Sequence, residues 1–303
     1  MHIFRRLLHG LVSILGASVI IFVISRLSGD PVTLMLPPDA PPESIEALRA
    51  HLRLDQPLVM QYLYFLGHAL LGDFGNSYRW QVPALQLILE RLPATIELAI
   101  AALGFSVAIA VPFGVLSAVH RGRWFDRFGK AFAMLGQAMP NFWIGLLLIL
   151  LFAVQLQWLP AFGRETAASL VLPAIALGWY PVAAQTRVVR SAMLDALDSD
   201  YLRMGRSLGI PERVLVWKYA LRNAAVPLVT ILGVYFAAML GGAFVVEVIF
   251  AWPGVGRTVV EAVFARDFPV VQAGVLLTSV LFVVSNLLVD ISYGLIDPRI
   301  RHG

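Results

Sequence analysis

The chain has 303 residues, 59% of them hydrophobic and 14% charged, with a mean hydropathy of +0.78. Soluble domains run at about 45–50% apolar and ~25% charged, so these few charges could not cover a water-facing surface, and lipid is the expected solvent. The absence of cysteine excludes disulfides and thiolate chemistry, and the six scattered histidines form no metal-ligand pair. The net charge of +4 comes from arginines beside apolar runs, which points to membrane topology rather than nucleic acid.

A membrane helix needs about 20 mostly apolar residues. Six segments meet that length, giving an all-α polytopic fold: 7–27, 95–119, 132–156, 170–189, 224–250 and 270–291. The fourth is the weakest, being interrupted by Pro173 and Pro181. The first follows Arg5 and Arg6 but is longer than the ~7–15 apolar residues of a signal core, so a retained anchor is expected. Fifteen of the 23 Arg and Lys residues fall on one side of these spans. By the positive-inside rule that side is cytoplasmic, and both termini lie on it.

Residues 1–27 are thus read as an N-terminal transmembrane helix, and 28–92 as a periplasmic segment. In the latter, Pro42 opens a short helix through His51. Asp55 is expected to cap a second helix, with Pro57 in its first turn, running to about Leu71. Gly72-Asp73-Phe74-Gly75-Asn76-Ser77 is turn chemistry. Residues 93–303 form a core of five further spans, with a cytoplasmic loop over 190–227.

That loop carries the most information. Leu194, Leu197, Tyr201, Met204 or Gly205, and Leu208 fall on one stripe at helical spacing. Gly209 ends this helix, and Pro211 with Glu212 starts another, whose stripe is Val214, Trp217 and Leu221. A plain connection would need only a few residues. Two short helices bearing charges and large side chains could instead receive force from a partner, or lie on lipid.

Nucleotide hydrolysis is excluded for this chain. A phosphate-cradling loop needs a glycine-rich turn followed by Lys and then Ser or Thr. Lys130 precedes Ala131, and Lys218 sits between Trp217 and Tyr219. No Ser-His-Asp or paired-carboxylate constellation is evident, so no residue is assigned a catalytic or metal-binding role.

The segment from Asp200 to Gly209, followed by Tyr219-Ala220-Leu221-Arg222-Asn223-Ala224 and Pro227, resembles the cytoplasmic signature of binding-protein-dependent importer permeases. That signature is Glu-Ala-Ala, three residues, Gly, nine residues, then Ile-x-Leu-Pro. Its triplet falls on Arg203-Met204-Gly205, its glycine on Gly209 and its Ile-x-Leu on Tyr219-Ala220-Leu221. The glutamate is Arg203 here and the proline is Arg222, as in the dipeptide, oligopeptide and nickel group. Similar to the same group are Gly72-Asp73-Phe74-Gly75 with Ser77, Arg91 to Leu98, Pro140 to Gly145, Val246 to Gly256, Arg266-Asp267-Phe268-Pro269, and Asp290 to Arg299.

The resemblance implies the type I fold of ATP-binding cassette (ABC) importers. It also implies a second homologous permease, two ATPase subunits that bind ATP and Mg, and a periplasmic or lipid-anchored solute-binding protein. This chain would hold no cofactor. Asp200, Tyr201, Arg203, Gly205, Arg206, Gly209, Arg213 and Leu221 become candidates for coupling to the ATPase. Glu97, Asn141, Glu247 and Trp252 become candidates for the path or gate. The expected solute is a dipeptide or oligopeptide, with nickel complexes or another small solute as alternatives. An ion-gradient-driven secondary transporter is the competing class, but it predicts midplane acids in two repeated halves, which are not seen.

Overall fold

Backbone polar groups in lipid must be satisfied within their own segment, which leaves helix as the economical choice for one chain. The computed structural model describes residues 2–296, apart from 30–31, 33–35 and 38–39. The motif end Asp297-Pro298-Arg299 and the loop acids Asp30 and Asp39 lie outside these residues. Among the described residues the architecture is all-α, with one isolated bridge between Asn76 and Pro83.

In chain order the helices are α1 (His2–Leu27), α2 (Pro42–His51), α3 (Leu58–Leu70), α4 (Ala84–Val119), α5 (Trp124–Ala138), α6 (Asn141–Gln155) and α7 (Val171–Leu197). They continue with α8 (Asp200–Ser207), α9 (Glu212–Gly242), α10 (Phe244–Ile249), α11 (Val255–Phe264) and α12 (Phe268–Ile296). Helices α1, α4, α7, α9 and α12 contain stretches long and apolar enough to cross a membrane. The expected third span is built differently. It is two helices, α5 and α6, divided at Met139-Pro140, where Met139 is extended at φ −91°, ψ 123°. A proline disfavours helical backbone in the residue before it, so the helix stops there and restarts at Asn141.

Two compact units divide the chain. The first contains residues 1–95 and 253–283. Its core gathers Ile21 of α1, Leu87 and Ile88 of α4, Val255 and Ala262 of α11, and Val270, Val271 and Ala273 of α12. Two segments 190 positions apart meet here. Ser77 Oγ donates to Asp267 Oδ2 at 2.5 Å, and the Arg79 N–H donates to the same oxygen at 3.2 Å. Thr95 Oγ1 likewise accepts from the Val255 N–H at 2.9 Å. Tyr78, beside this node, is pushed up to about 12 by burial and then by the Asp267 charge, so it remains a neutral hydroxyl.

Asp55 does not cap α3, contrary to expectation. The N-cap is Pro57, without a side-chain cap. The Gln61 amide instead donates back to the Leu54 and Gln56 carbonyls.

The second unit contains residues 96–252 and 284–303. Its most enclosed long helix is α7, the one with the weakest apolar signal. Small residues explain both facts, because they let backbones approach closely where protein rather than lipid covers the helix. A Cβ on Gly178 would lie 2.5 Å from the Ala102 carbonyl oxygen, and one on Gly114 would lie 2.7 Å from Val189. Pro181 is accommodated inside α7, so the expected interruption there does not occur.

Candidate functional site

Between α7 and α9 the chain turns back through α8. Asp200 stands in the first turn of α8 and Arg206 in its last, each complementing the helix dipole. The Gly209 N–H bonds to the Arg206 carbonyl at 3.0 Å and the Ile210 N–H to the Gly205 carbonyl at 3.1 Å. Those two bonds form a Schellman motif, which requires the φ of +73° that Gly209 adopts. Pro211 is the N-cap of α9, whose second stretch, Leu215–Ala220, is π-helical before α-helix resumes at Leu221.

One face of this loop is locked into the protein. Leu202, Leu215, Val216 and Ala220 join Val115, Val189, Met193, Ala224 and Leu228 in a single buried cluster, with Leu221 and Ile210 packed against it. At Gly205 there is no room for a side chain, since a Cβ would lie 2.6 Å from Leu215 Cδ2. Gly205 and Leu221 therefore hold the loop from inside. The other face is open. Tyr201, Met204 and Leu208, expected on one stripe, are exposed (Met204 at 64% and Leu208 at 67%), as are Val214 and Trp217. The expected single stripe is divided: Leu194 and Leu197 belong to α7 and pack against the buried cluster, whereas Tyr201, Met204 and Leu208 are exposed on and just after α8, whose buried side is Leu202 and Gly205.

Polar ties fix the open face in position. The Asn223 side-chain amide donates to the Tyr201 hydroxyl at 2.6 Å. Arg206 forms a two-pronged pair with Glu212 across the turn, at 3.1 and 3.0 Å, and this bond raises the guanidinium's pKa. Arg203 pairs with Asp200 at 3.1 Å. Two of the three candidate arginines thus have partners inside the loop, while Arg213 is exposed with no ion pair among the described residues.

A second lock went unnoticed in the sequence. Asp126 of α5 is 1% exposed and accepts from Arg190 of α7 through both oxygens, at 2.7 and 3.0 Å. Ser117 Oγ of α4 and the Gly122 N–H also donate to it, at 2.9 and 3.0 Å. The only available signal was one acid within the basic run Arg121, Arg123, Arg127 and Lys130.

Three of the four path candidates lie in or beside another constellation. Glu97 pairs with Arg164, which approaches within 2.5 Å and also stands 5.9 Å from the ring of buried Trp252. The Gly163 N–H donates to the Phe250 carbonyl at 3.0 Å, fixing the loop that carries Arg164. Glu247 is fully buried, and its carbonyl accepts from the Trp252 N–H at 2.8 Å. Asn141 stands apart as the first residue of α6, after the Pro140 break. Among the described residues no cluster of His, Asp or Glu could hold a metal.

Comparison with known proteins gives this geometry its context. Residues 110–302 match the family described as the binding-protein-dependent transport system inner membrane component, and residues 1–99 match its N-terminal companion. The chain belongs to this family. It is 39% identical over 302 residues, covering 99% of both chains, to the glutathione transport system permease protein GsiC of Salmonella typhimurium strain LT2. The GsiC protein of Escherichia coli strain K12 gives the same identity and coverage.

Among solved structures, the inward-facing MetNI methionine ABC transporter aligns with a TM-score of 0.52 at 18% identity, over 68% of this chain and 96% of that one. An amino acid ABC transporter crystallised with histidines aligns with a TM-score of 0.51 at 19% identity, over 69% and 93%. These structures establish the permease fold. The chain is a multi-pass inner-membrane permease subunit of an ABC importer, a transport component whose ATPase activity resides in separate subunits. It works with a solute-binding protein, as the family description states.

Proposed function

We propose that this permease imports short peptides and that the loop over 190–227 is the handle gripped by its ATPase. The observation that carries this reading is the two-sided loop. One face is fused to the core through Leu202, Gly205 and Leu215, and the other offers Tyr201, Met204, Leu208 and Trp217. A rigid handle with an exposed apolar ridge transmits displacement, whereas a loose one would absorb it. Asp200, Arg203, Arg206 and Arg213 form the polar rim of that contact.

Two homologous permeases pair in the membrane, two ATPases bind ATP and Mg on the cytoplasmic side, and both termini of this chain are cytoplasmic. Residues 1–27 anchor the chain, 28–92 face the periplasm, and 93–303 form the transport core. Peptide as solute is supported by the glutathione permeases, glutathione being a tripeptide. Glu97 with Arg164 and Trp252 forms a polar gate, with Glu247 behind it and Asn141 further along the path.

The test is reconstitution in proteoliposomes with and without the ATPase and binding protein. Peptide uptake should require both and ATP. Uptake by the permease pair alone would identify an ion-driven carrier and sink the proposal. Nickel uptake with no peptide uptake would keep the architecture and overturn the solute.

A further inference from the structure

Helix α3 belongs to the segment assigned to the periplasm, yet its surroundings are those of a buried or lipid-bathed element. Its Tyr62 hydroxyl hydrogen-bonds the Ser18 hydroxyl of α1 at 2.9 Å. Phe22 of α1 packs edge-on against Tyr62 and stacks with Phe65. Ser18 lies about 13 Å below the end of α1 at Leu27, at ~1.5 Å per residue. The hydrocarbon half-thickness of a bilayer is about 15 Å. Since the apolar stretch of α1 runs Arg6–Leu27, the Tyr62–Ser18 bond joins two hydroxyls at a depth where water is scarce.

The rest of α3 is sorted accordingly. On its outward side Leu58, Val59, Met60 and Leu63 are each more than half exposed. On α1, Leu15, Val19, Ile20, Val23 and Ile24 are exposed as well. Polar partners gather elsewhere: Arg53 stacks on Tyr64 at 3.9 Å, and His68 pairs with Asp73 at 2.9 Å. The chain before α3 folds back along it through Gln61. This leaves Pro57, Leu58, Val59 and Met60 as an exposed tip.

We infer that α2 and α3 form a hairpin whose apolar tip is immersed in the bilayer leaflet at the C-terminal end of α1, with lipid acyl chains as the occupant of the Val59–Leu63 face. On the topology proposed above this is the outer leaflet. The hairpin becomes a lipid-contacting strut.

Because the chain has no cysteine, single-cysteine variants report without background. Val59→Cys, Leu63→Cys and, as a water-facing control on α2, Glu46→Cys would be assembled in the complete transporter in proteoliposomes. A membrane-impermeant maleimide should modify Glu46→Cys from the outer side and Val59→Cys and Leu63→Cys about tenfold more slowly or less. Nitroxides at 59 and 63 should collide with oxygen more than with a nickel chelate. Modification at 59 and 63 as fast as at 46 overturns the lipid assignment. So does protection that develops only when the solute-binding protein is added, since the face would then belong to that partner. Labelling of Glu46→Cys from the opposite side overturns the topology instead.

Discussion

Two ion pairs of the same chemistry hold the region around the loop over 190–227, and they differ in burial. Asp126 and Arg190 are 1% and 20% exposed in their side chains, and Glu212 and Arg206 are 57% and 41%. Both are two-pronged guanidinium–carboxylate pairs. The buried one ties α5 and α4 to the last turns of α7, where an unpartnered charge would be costly. The exposed one spans the turn at Gly209, where water substitutes for either partner at little cost. One pair therefore fixes the helices that frame the loop, and the other spans a turn within it.

Asp126→Asn gives the largest expected effect. It leaves Arg190 facing a neutral group in a buried site, and losing one partner of a buried pair costs about 3–5 kcal/mol. Thermal unfolding of the purified transporter should drop accordingly; an unchanged midpoint would mean that water reaches Asp126. Gly209→Val comes next, because a left-handed backbone costs an ordinary residue about 1–2 kcal/mol. Membrane insertion should survive while ATP-driven uptake is lost, and normal uptake would separate the turn from coupling.

Exchange of the exposed pair, Arg206→Glu with Glu212→Arg, should move stability by less than about 1 kcal/mol. Its signature is weaker ATPase binding in a pull-down, since the rim charges are reversed; equal binding would confine the pair to a role within the loop. The smallest effect concerns Asp73. The His68 side chain and then the Gly75 N–H hold its carboxyl below its ordinary value. A depressed folded-state pKa stabilises above the ordinary carboxylate value of about 4 and is lost as pH falls through the lowered one. Asp73→Asn should thus cost little at neutral pH, less than about 1 kcal/mol given its exposure, and nothing in strong acid. A cost that grew on acidification would reverse this sign.

The sequence made the helices legible because lipid leaves few alternatives to them, and it made the loop legible because Gly209 and Pro211 are chemically explicit. It did not reveal which stripe of α8 is buried. Periodicity counts apolar residues alike whether the chain or a partner covers them, so Tyr201 and Met204 looked the same as Leu202. Long-range pairs were equally silent. Gly72 to Ser77 and Arg266 to Pro269 stood out as separate motifs, but nothing in either announced that Ser77 binds Asp267. The break at Pro140 was written in the sequence, yet the hydropathy on both sides of it concealed it.

Two glycines four residues apart in the loop are required for unrelated reasons. At Gly205 an added methyl collides with Leu215, so replacements there should rank by volume, with Ala the least harmful. At Gly209 no heavy atom lies within 4 Å of an added Cβ, so size is irrelevant and only handedness matters. Replacements there should follow the backbone's tolerance for the left-handed region, Asn before Ala and Ala before Val, whatever their bulk. The same side chain can be harmless at one of these positions and disruptive at the other.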